Sequence, residues 1–190
     1  MTDLDTANLP ATALFWEGRV SELGGKLPRL VLAAGMFERY TEHARRVLFF
    51  ARYECSELGS PSIESEHLLL GLTRQRGGLI REIFDQSHFP REVIREEIER
   101  RYVGRPKVPT SVEIPFSADV KRSLMLAAEE SDQLSDTHIG CEHLLLGLLR
   151  EGTSTAASIL TRHGLQLDAV RHQITNIRPG SAGGQIEGAG

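Results

Sequence analysis

The feature that most constrains this chain is an internal repeat with a constant spacing. The heptapeptide EHLLLGL occupies residues 66–72 and again residues 142–148, at an offset of 76 residues (142 − 66). A register kept without a gap over a long span indicates two copies of one structural unit, which we place at residues 36–103 and 116–178. The same offset relates Tyr40-Thr41 to Phe116-Ser117, Arg46 to Arg122, Leu48 to Leu124, Leu58 to Leu134, Ile63 to Ile139, Arg74 to Arg150, Ile83 to Ile159, Arg95 to Arg171 and Ile98 to Ile174.

Each copy carries the apolar spacing of amphipathic helices. Thr41 is the predicted N-cap of the first helix, and Gly59 and Pro61 predict its end. Ser117 takes the place of Thr41 in the second copy. Four predicted helices in each copy make this an all-α protein of eight helices. The apolar stripe of the first helix recurs at i, i+3, i+4 and i+7, in Ala44, Val47, Leu48, Ala51, Cys55 and Leu58.

The later helices of each copy follow the same pattern. A second helix is expected to begin at Glu66 and at Glu142, a third to contain Leu79 and Ile80, and a fourth to begin near Pro90. The leucines of the heptapeptide are predicted to belong to the core.

Three segments lie outside this pattern. Residues 104–115 contain three prolines and are predicted to be an extended linker. Residues 1–35 are expected to be either a poorly ordered extension or an upstream translation, with Met36 as an alternative start. Residues 179–190 are rich in glycine and are predicted to be a disordered tail.

The composition argues against several classes of partner. The chain has 22 Lys and Arg against 26 Asp and Glu and shows no basic cluster, so we expect no nucleic-acid binding. No apolar run approaches the roughly 18 residues that a membrane span needs, so we expect no membrane contact. Cys55 and Cys141 are too few for a disulfide framework and are predicted to be reduced, which favours a cytoplasmic location.

The sequence also lacks the motifs of catalysis. The phosphate-binding pattern G-x-x-x-x-G-K-[ST] is absent, and residues 24–26 (GGK) are followed by leucine. No Ser, His or Asp spacing indicates a nucleophile with its base. His67 and His143 follow glutamates without the H-E-x-x-H spacing of a zinc site, so we predict that they are structural. We therefore predict no catalytic residues, no metal, no cofactor and no enzyme activity.

Four segments identify a resemblance to a known family. The chain resembles the N-terminal domain of Clp unfoldases, ClpC type, over residues 36–178. The resemblance implies two tandem four-helix repeats related by pseudo-twofold symmetry. Since the ATPase motif is missing, it also implies a stand-alone module. The segments are MFERYTEHARRVL (36–48), IESEHLLLGLTR (63–74), IPFSADVKRSL (114–124) and IGCEHLLLGLLR (139–150).

The resemblance implies a binding function in protein quality control. Such a module would recruit substrates or adaptors of a Clp protease, or would bind a Clp ATPase. An alternative stays open, in which the chain is a decoy or sequestering module. It would then bind cyclic peptides or compete with the unfoldase N-domain, without delivery to the protease.

The resemblance further implies one site per copy for phosphorylated arginine. The matching residues are Thr41 and Glu66 in the first copy and Ser117 and Glu142 in the second. Arg45 and Lys121 occupy equivalent positions and are expected to assist with the phosphate.

This chain departs from the family pattern around those residues. Ser65 and Cys141 replace a threonine, and Glu64 replaces a glycine. Leu79 and Ile80 are bulky where the family has small residues, so we predict that the second copy keeps the better site.

The sequence allows two locations for the two aromatic residues that precede the first helix. Phe37 and Tyr40 are predicted to belong to the core, with the alternative that they line a peptide groove on the surface.

Overall fold

The computed structural model describes residues 37–109 and 111–177. The chain divides into two units, Met1–Glu38 and Arg39–Gly190, and every element below lies in the second unit. The predicted extension at residues 1–35 and the predicted tail at residues 179–190 lie outside the described residues.

The described residues form eight α-helices, four in each copy, which confirms the all-α prediction. None of these helices is both long enough and apolar enough to cross a membrane. A 3₁₀ turn at Arg100–Tyr102 closes the first copy. The helices are α1 (Glu42–Glu57), α2 (Ser65–Thr73), α3 (Leu79–Gln86), α4 (Arg91–Glu99), α5 (Ala118–Gln133), α6 (Cys141–Glu151), α7 (Thr155–Arg162) and α8 (Leu167–Ile177).

The first helix of each copy begins at the predicted cap. The Thr41 hydroxyl accepts a hydrogen bond from the amide of Ala44 at 3.2 Å. The Ser117 hydroxyl accepts one from the amide of Val120 at 3.3 Å. Each hydroxyl satisfies a backbone donor that has no partner within the helix, so both caps confirm the sequence analysis.

A histidine in the first turn caps the second helix of each copy. The amide of Glu64 donates to His67 Nδ1 at 2.8 Å, and the amide of Gly140 donates to His143 Nδ1 at 2.9 Å. Both rings are buried, and burial lowers the pKa of His67 to about 4, so that ring is neutral at pH 7. The structural interpretation of the histidines is therefore confirmed.

A buried carboxylate joins three helices in each copy. Glu54 on α1 lies 2.7 Å from Arg74 and 2.7 Å from Arg95, which follow α2 and belong to α4 respectively. Burial by itself would raise the pKa of Glu54, but the two guanidinium groups outweigh it and hold the pKa below its usual value. The second copy repeats this cluster with Glu130, Arg150 at 3.3 Å and Arg171 at 2.6 Å.

The two copies exchange short parallel backbone pairings. Tyr40, before α1, pairs with Ile139, before α6, while Ile63, before α2, pairs with Phe116, before α5. The Ile139 amide donates to the Arg39 carbonyl at 2.7 Å, and the Ile63 amide donates to the Pro115 carbonyl at 2.8 Å. Each copy thus contributes hydrogen bonds to the other in equivalent places, which is the pseudo-twofold relation that the resemblance implies.

Helices of the two copies also pack on each other. Helix α1 contacts α6, and α5 contacts α2, as the pseudo-twofold relation requires. Helix α2 also contacts α7, and α3 contacts both α6 and α8. The Arg162 guanidinium lies 2.9 Å from Glu97, so an ion pair links α7 to α4.

The linker lies against α1. The Val108 amide donates to the Ser56 carbonyl at 3.0 Å, and Lys107 pairs with Glu57. Gly59 has a φ of +69°, and a Cβ there would stand 2.3 Å from the Pro106 carbonyl oxygen. Only glycine therefore fits at the end of α1 without a shift of the linker.

Candidate ligand-binding site

Glu66 is engaged on both carboxylate oxygens by groups of the same chain. It lies in the first turn of α2, and only 7% of its surface is exposed. The Tyr102 hydroxyl donates to Glu66 Oε1 at 2.9 Å, and the Ser65 hydroxyl donates to Oε2 at 3.2 Å. The first copy thus has the predicted carboxylate, but its acceptor atoms already have internal donors.

Glu142 occupies a different environment at the start of α6. Its side chain is 20% exposed. Its carboxylate oxygens lie where a side chain at Gly140 would be, since a Cβ on Gly140 would stand 2.4 Å from Oε2. Because Glu64 holds the equivalent position in the first copy, Glu66 has no such space available.

The structure corrects the predicted grouping of the site residues. Sequence analysis grouped Thr41 with Glu66 and Ser117 with Glu142, within each copy. The Thr41 amide instead donates to the Ile139 carbonyl at 3.0 Å, three residues before Glu142. Since the backbone pairings cross between the copies, Thr41 lies beside the loop that leads to Glu142.

Ser117 shows the same exchange in reverse. Its amide donates to the Ile63 carbonyl at 3.0 Å, three residues before Glu66. Arg45 is half-buried in the first turn behind Thr41, and Lys121 is exposed in the first turn behind Ser117. Arg45 thus follows the residue that pairs with the loop before Glu142, and Lys121 follows the residue that pairs with the loop before Glu66.

The helices that follow the glutamates have unequal N-termini. Helix α7 is capped by Ser154, whose hydroxyl accepts from the Ala157 amide at 3.3 Å. Ser65, from the other copy, accepts from the Ala156 amide at 3.2 Å. Ser65 therefore adds a second hydroxyl acceptor to the start of α7, across the copy boundary.

Helix α3 has no such cap. Its N-cap is Gly78, with a φ of +73° and no side chain to accept from the amides. A Cβ at Gly77 or Gly78 would meet nothing within 4 Å, so this helix start is open. Ile80 is buried and Leu79 is half-buried, in a helix that contacts α6 and α8 of the second copy.

The two aromatic candidates belong to the core. Phe37 and Tyr40 are both buried, and burial raises the pKa of Tyr40 to about 12. Side chains buried to this degree do not line a surface groove. The alternative that Phe37 and Tyr40 line a peptide groove on the surface is therefore wrong.

Asp136, Glu142 and His143 bring three potential metal ligands together. His143 Nδ1 accepts the Gly140 amide, so the proton of a neutral ring is on Nε2, which lies 2.9 Å from Asp136 Oδ2. A protonated nitrogen cannot ligate a metal. This arrangement is a histidine held by a carboxylate, and the donor set does not fit a metal ion.

Sequence analysis missed Tyr102. The repeat provided no signal for it, because the equivalent residue 76 positions later is an arginine, Arg178, and not a second tyrosine. A tyrosine at the end of a predicted helix gives no indication of a partner 36 positions earlier.

Comparison with known proteins places these observations in a family. Residues 39–176 match the Clp repeat (R) N-terminal domain. The chain is 39% identical over 150 residues to chloroplastic ClpC1 of Arabidopsis thaliana, which covers 79% of this chain but 16% of the relative. The N-terminal domain of ClpD from Arabidopsis thaliana superposes with a TM-score of 0.58 and 27% identity, over 76% of this chain and 97% of that domain.

A more distant structure shares the fold. The ClpV N-domain in complex with a VipB peptide superposes with a TM-score of 0.59 and 19% identity, over 79% of this chain and 89% of that one. The chain as a whole spans about a sixth of the length of the curated relatives it matches.

Proposed function

The chain belongs to the Clp repeat N-terminal domain family, and we propose that it is a protein- or peptide-binding module of a Clp proteolysis system, without catalysis of its own. The family match over residues 39–176 is the observation that carries this proposal. The peptide complex of the ClpV N-domain supports it, because that domain has the same fold. The partners would be substrates or adaptors of a Clp protease, or a Clp ATPase, in the cytoplasm.

Within this function, the ligand that we propose is a phosphorylated arginine side chain read at Glu142. A guanidinium donates paired hydrogen bonds that match the two oxygens of a carboxylate. Glu142 is half-buried, which weakens competition from water while leaving the carboxylate within reach. Glu66 is less suited because only 7% of its surface is exposed.

The phosphate end of the ligand would meet the open start of α3. Ser65, next to Glu66, contacts the first turn of α7 through the Ala156 amide. Helix α3 contacts α6, so the pseudo-twofold relation would bring the first turn of α3 toward the residue next to Glu142. Uncapped amides and the positive end of the helix dipole favour an anion there. Arg45, behind Thr41, adds a positive charge on the same side.

Calorimetric titration tests this proposal with phosphoarginine and with plain arginine as ligands. A hydrogen bond to a charged group contributes about 1.5–3 kcal/mol, so Glu142→Ala should weaken phosphoarginine binding about ten- to hundredfold. Plain arginine should bind more weakly than phosphoarginine, because it lacks the group that α3 would receive.

Glu66→Ala is the matched control, since it removes the equivalent carboxylate from the other copy. We expect it to weaken binding by less than Glu142→Ala does. If neither ligand binds at millimolar concentration, the glutamates serve only the helix starts and the module recognises partners elsewhere. Pull-down from a lysate, with and without the cognate ATPase, would then distinguish delivery from competition.

A further inference from the structure

We propose that the basic loop at residues 100–107 is a docking surface for an acidic segment of a partner protein. Carboxylates of the partner would pair with Arg101 and Arg105, and an apolar side chain of the partner would pack on Val103 between them. The loop reads RRYVGRPK, with four cations and no acidic residue, in a chain whose net charge is −4. The inference goes beyond the ligand proposed above, because this surface uses neither Glu66 nor Glu142.

The basic loop presents Val103 at the tip of a tight turn. The Arg105 amide donates to the Tyr102 carbonyl at 3.2 Å, and Val103 has a φ of −54° and a ψ of 131°. Gly104 follows with a φ of +81°. These angles define a type II β-turn, whose third residue needs a positive φ and is therefore usually glycine. The turn holds Val103 away from the core, with 81% of its surface exposed.

Contacts on both sides of the turn fix it to the fold. Tyr102 is 8% exposed, and its hydroxyl donates to the Glu66 carboxylate at 2.9 Å. After the turn, Lys107 pairs with Glu57 on α1. A partner would therefore meet a preformed turn and would lose little conformational entropy by binding it.

Two arginines beside the turn carry charge that this chain does not neutralise. Arg100 and Lys107 each pair with a glutamate of the chain. Arg101 instead donates to the Thr155 hydroxyl at 3.2 Å, and the Arg105 guanidinium lies 4.8 Å from the centroid of the neighbouring tyrosine ring. Both arginines are exposed, and neither has a carboxylate within ion-pair distance in the described part of the chain. Carboxylates of a partner would therefore complement them.

An acidic protein segment fits this surface better than a nucleic acid does. Guanidinium groups bind carboxylates and phosphates alike, so charge alone does not decide between them. Four cations are few for a phosphate backbone, and single strands also need exposed aromatic rings on which bases stack. The aromatic ring of the loop, Tyr102, is buried. The exposed Val103 is aliphatic and matches an aliphatic side chain between acidic residues.

Fluorescence anisotropy with the full chain tests the inference. The probe is a labelled peptide of Asp and Glu around a single leucine, without arginine. It should bind at or below about millimolar concentration and bind more weakly as NaCl is added, because salt screens exposed charges. Arg101→Ser/Arg105→Ser should weaken binding about tenfold, since each exposed ion pair is worth up to about fivefold.

Matched controls lie in the same loop. Arg100→Ser removes an arginine that already pairs with Glu96, so it should change the affinity by less than about twofold. Val103→Ser, or serine in place of leucine in the peptide, should each weaken binding about fivefold, because a partner side chain would cover only part of the valine. Circular dichroism checks that each variant keeps its helices.

Several outcomes would overturn the inference. These are an absence of binding at millimolar concentration, an unchanged affinity in Arg101→Ser/Arg105→Ser, or equal affinities for the leucine and serine peptides. Tighter binding of an oligothymidylate of the same charge would also overturn it, because the loop would then bind phosphates. The peptide contains no arginine and phosphoarginine is no acidic segment, so this titration and the one that tests Glu142 can fail independently.

Discussion

Glu54 shows how a single residue can join the helices of one copy. Its carboxylate is 3% exposed and accepts hydrogen bonds from Arg74 and from both terminal nitrogens of Arg95. A buried charge of this kind is tolerated only when it is paired, and removal of one partner leaves the others without compensation. Glu130 is paired with Arg150 and Arg171 in the same way, so both copies compensate their buried carboxylate with two arginines.

We predict that Glu54→Gln lowers the free energy of unfolding by about 3 kcal/mol. This is the lower end of the range for breaking a buried ion pair, because Arg74 and Arg95 keep some exposure to water. Urea unfolding at pH 7 measures the change. Glu99→Gln is the matched control, since Glu99 also pairs with Arg95 but is exposed, and it should change stability by less than about 1 kcal/mol. Equal effects of the two substitutions would contradict the prediction.

The same residue predicts a pH dependence. The folded pKa of Glu54 lies below its ordinary value of 4.5, so the carboxylate contributes stability above pH 4.5. That contribution is lost as the pH falls through the folded pKa. Urea unfolding between pH 7 and pH 3 should therefore show a smaller loss of stability for Glu54→Gln than for wild type. A parallel loss in both proteins would assign the acid sensitivity to other groups.

Single residues also make the surroundings of Glu66 and Glu142 unequal. Gly140 leaves space for the Glu142 carboxylate, whereas Glu64 fills the equivalent place in the first copy. Ser65 caps a helix of the other copy, while Cys141 is a thiol whose pKa is raised to about 12 by burial. The repeat therefore preserves the backbone and changes the chemistry at a few positions.

At the level of helices, glycines set how closely the main pairs approach. Gly71 on α2 faces α1, and Gly147 on α6 faces α5. A Cβ would stand 2.5 Å from the Val47 carbonyl oxygen in the first pair and 2.2 Å from the Ser123 carbonyl oxygen in the second. Because backbone atoms cannot move aside as flexible side chains do, only glycine permits this separation.

We predict that Gly147→Ala lowers the free energy of unfolding by about 1–2 kcal/mol, because overpacking usually costs about 1–3 kcal/mol. The predicted loss is smaller than the full overpacking cost, because alanine brings a gain of up to about 1 kcal/mol to a helix interior. Thermal or urea unfolding measures the effect. Gly77→Ala is the control, because a Cβ there meets nothing within 4 Å. An unchanged or raised stability of Gly147→Ala would show that the helices separate at no cost.

For the whole molecule, the exchange of backbone pairings makes the copies depend on each other. Ile139 of the second copy pairs with Tyr40 of the first, and Phe116 pairs with Ile63. A separated copy would leave these amides and carbonyls to water and would expose the helix faces that meet at the boundary.

We predict that residues 113–178 expressed alone are less stable than the full chain. A copy of this size buries a modest core, and it would also lose the pairings from the other copy. Thermal unfolding followed by circular dichroism measures the difference, and the full chain should unfold in one transition at the higher temperature. An isolated copy as stable as the full chain would show that the two copies are independent domains.

The sequence by itself determined the helices and their repetition. The 76-residue offset, the apolar stripe after Thr41 and the caps at Thr41 and Ser117 are local features, since each depends on residues within a turn or two of the helix. The helix starts at Glu66 and Glu142 were predicted for the same reason, whereas the family resemblance pointed to these glutamates as site residues. Family resemblance added the pseudo-twofold arrangement, which periodicity alone does not contain.

Only the tertiary structure decided which residues meet across the copies. It placed Thr41 beside the loop before Glu142, set the Ser65 hydroxyl against the first turn of α7, and brought Tyr102 to Glu66. These contacts join residues that are 36 to 98 positions apart. No periodicity records a contact over such separations, because it depends on how the packed helices orient their ends.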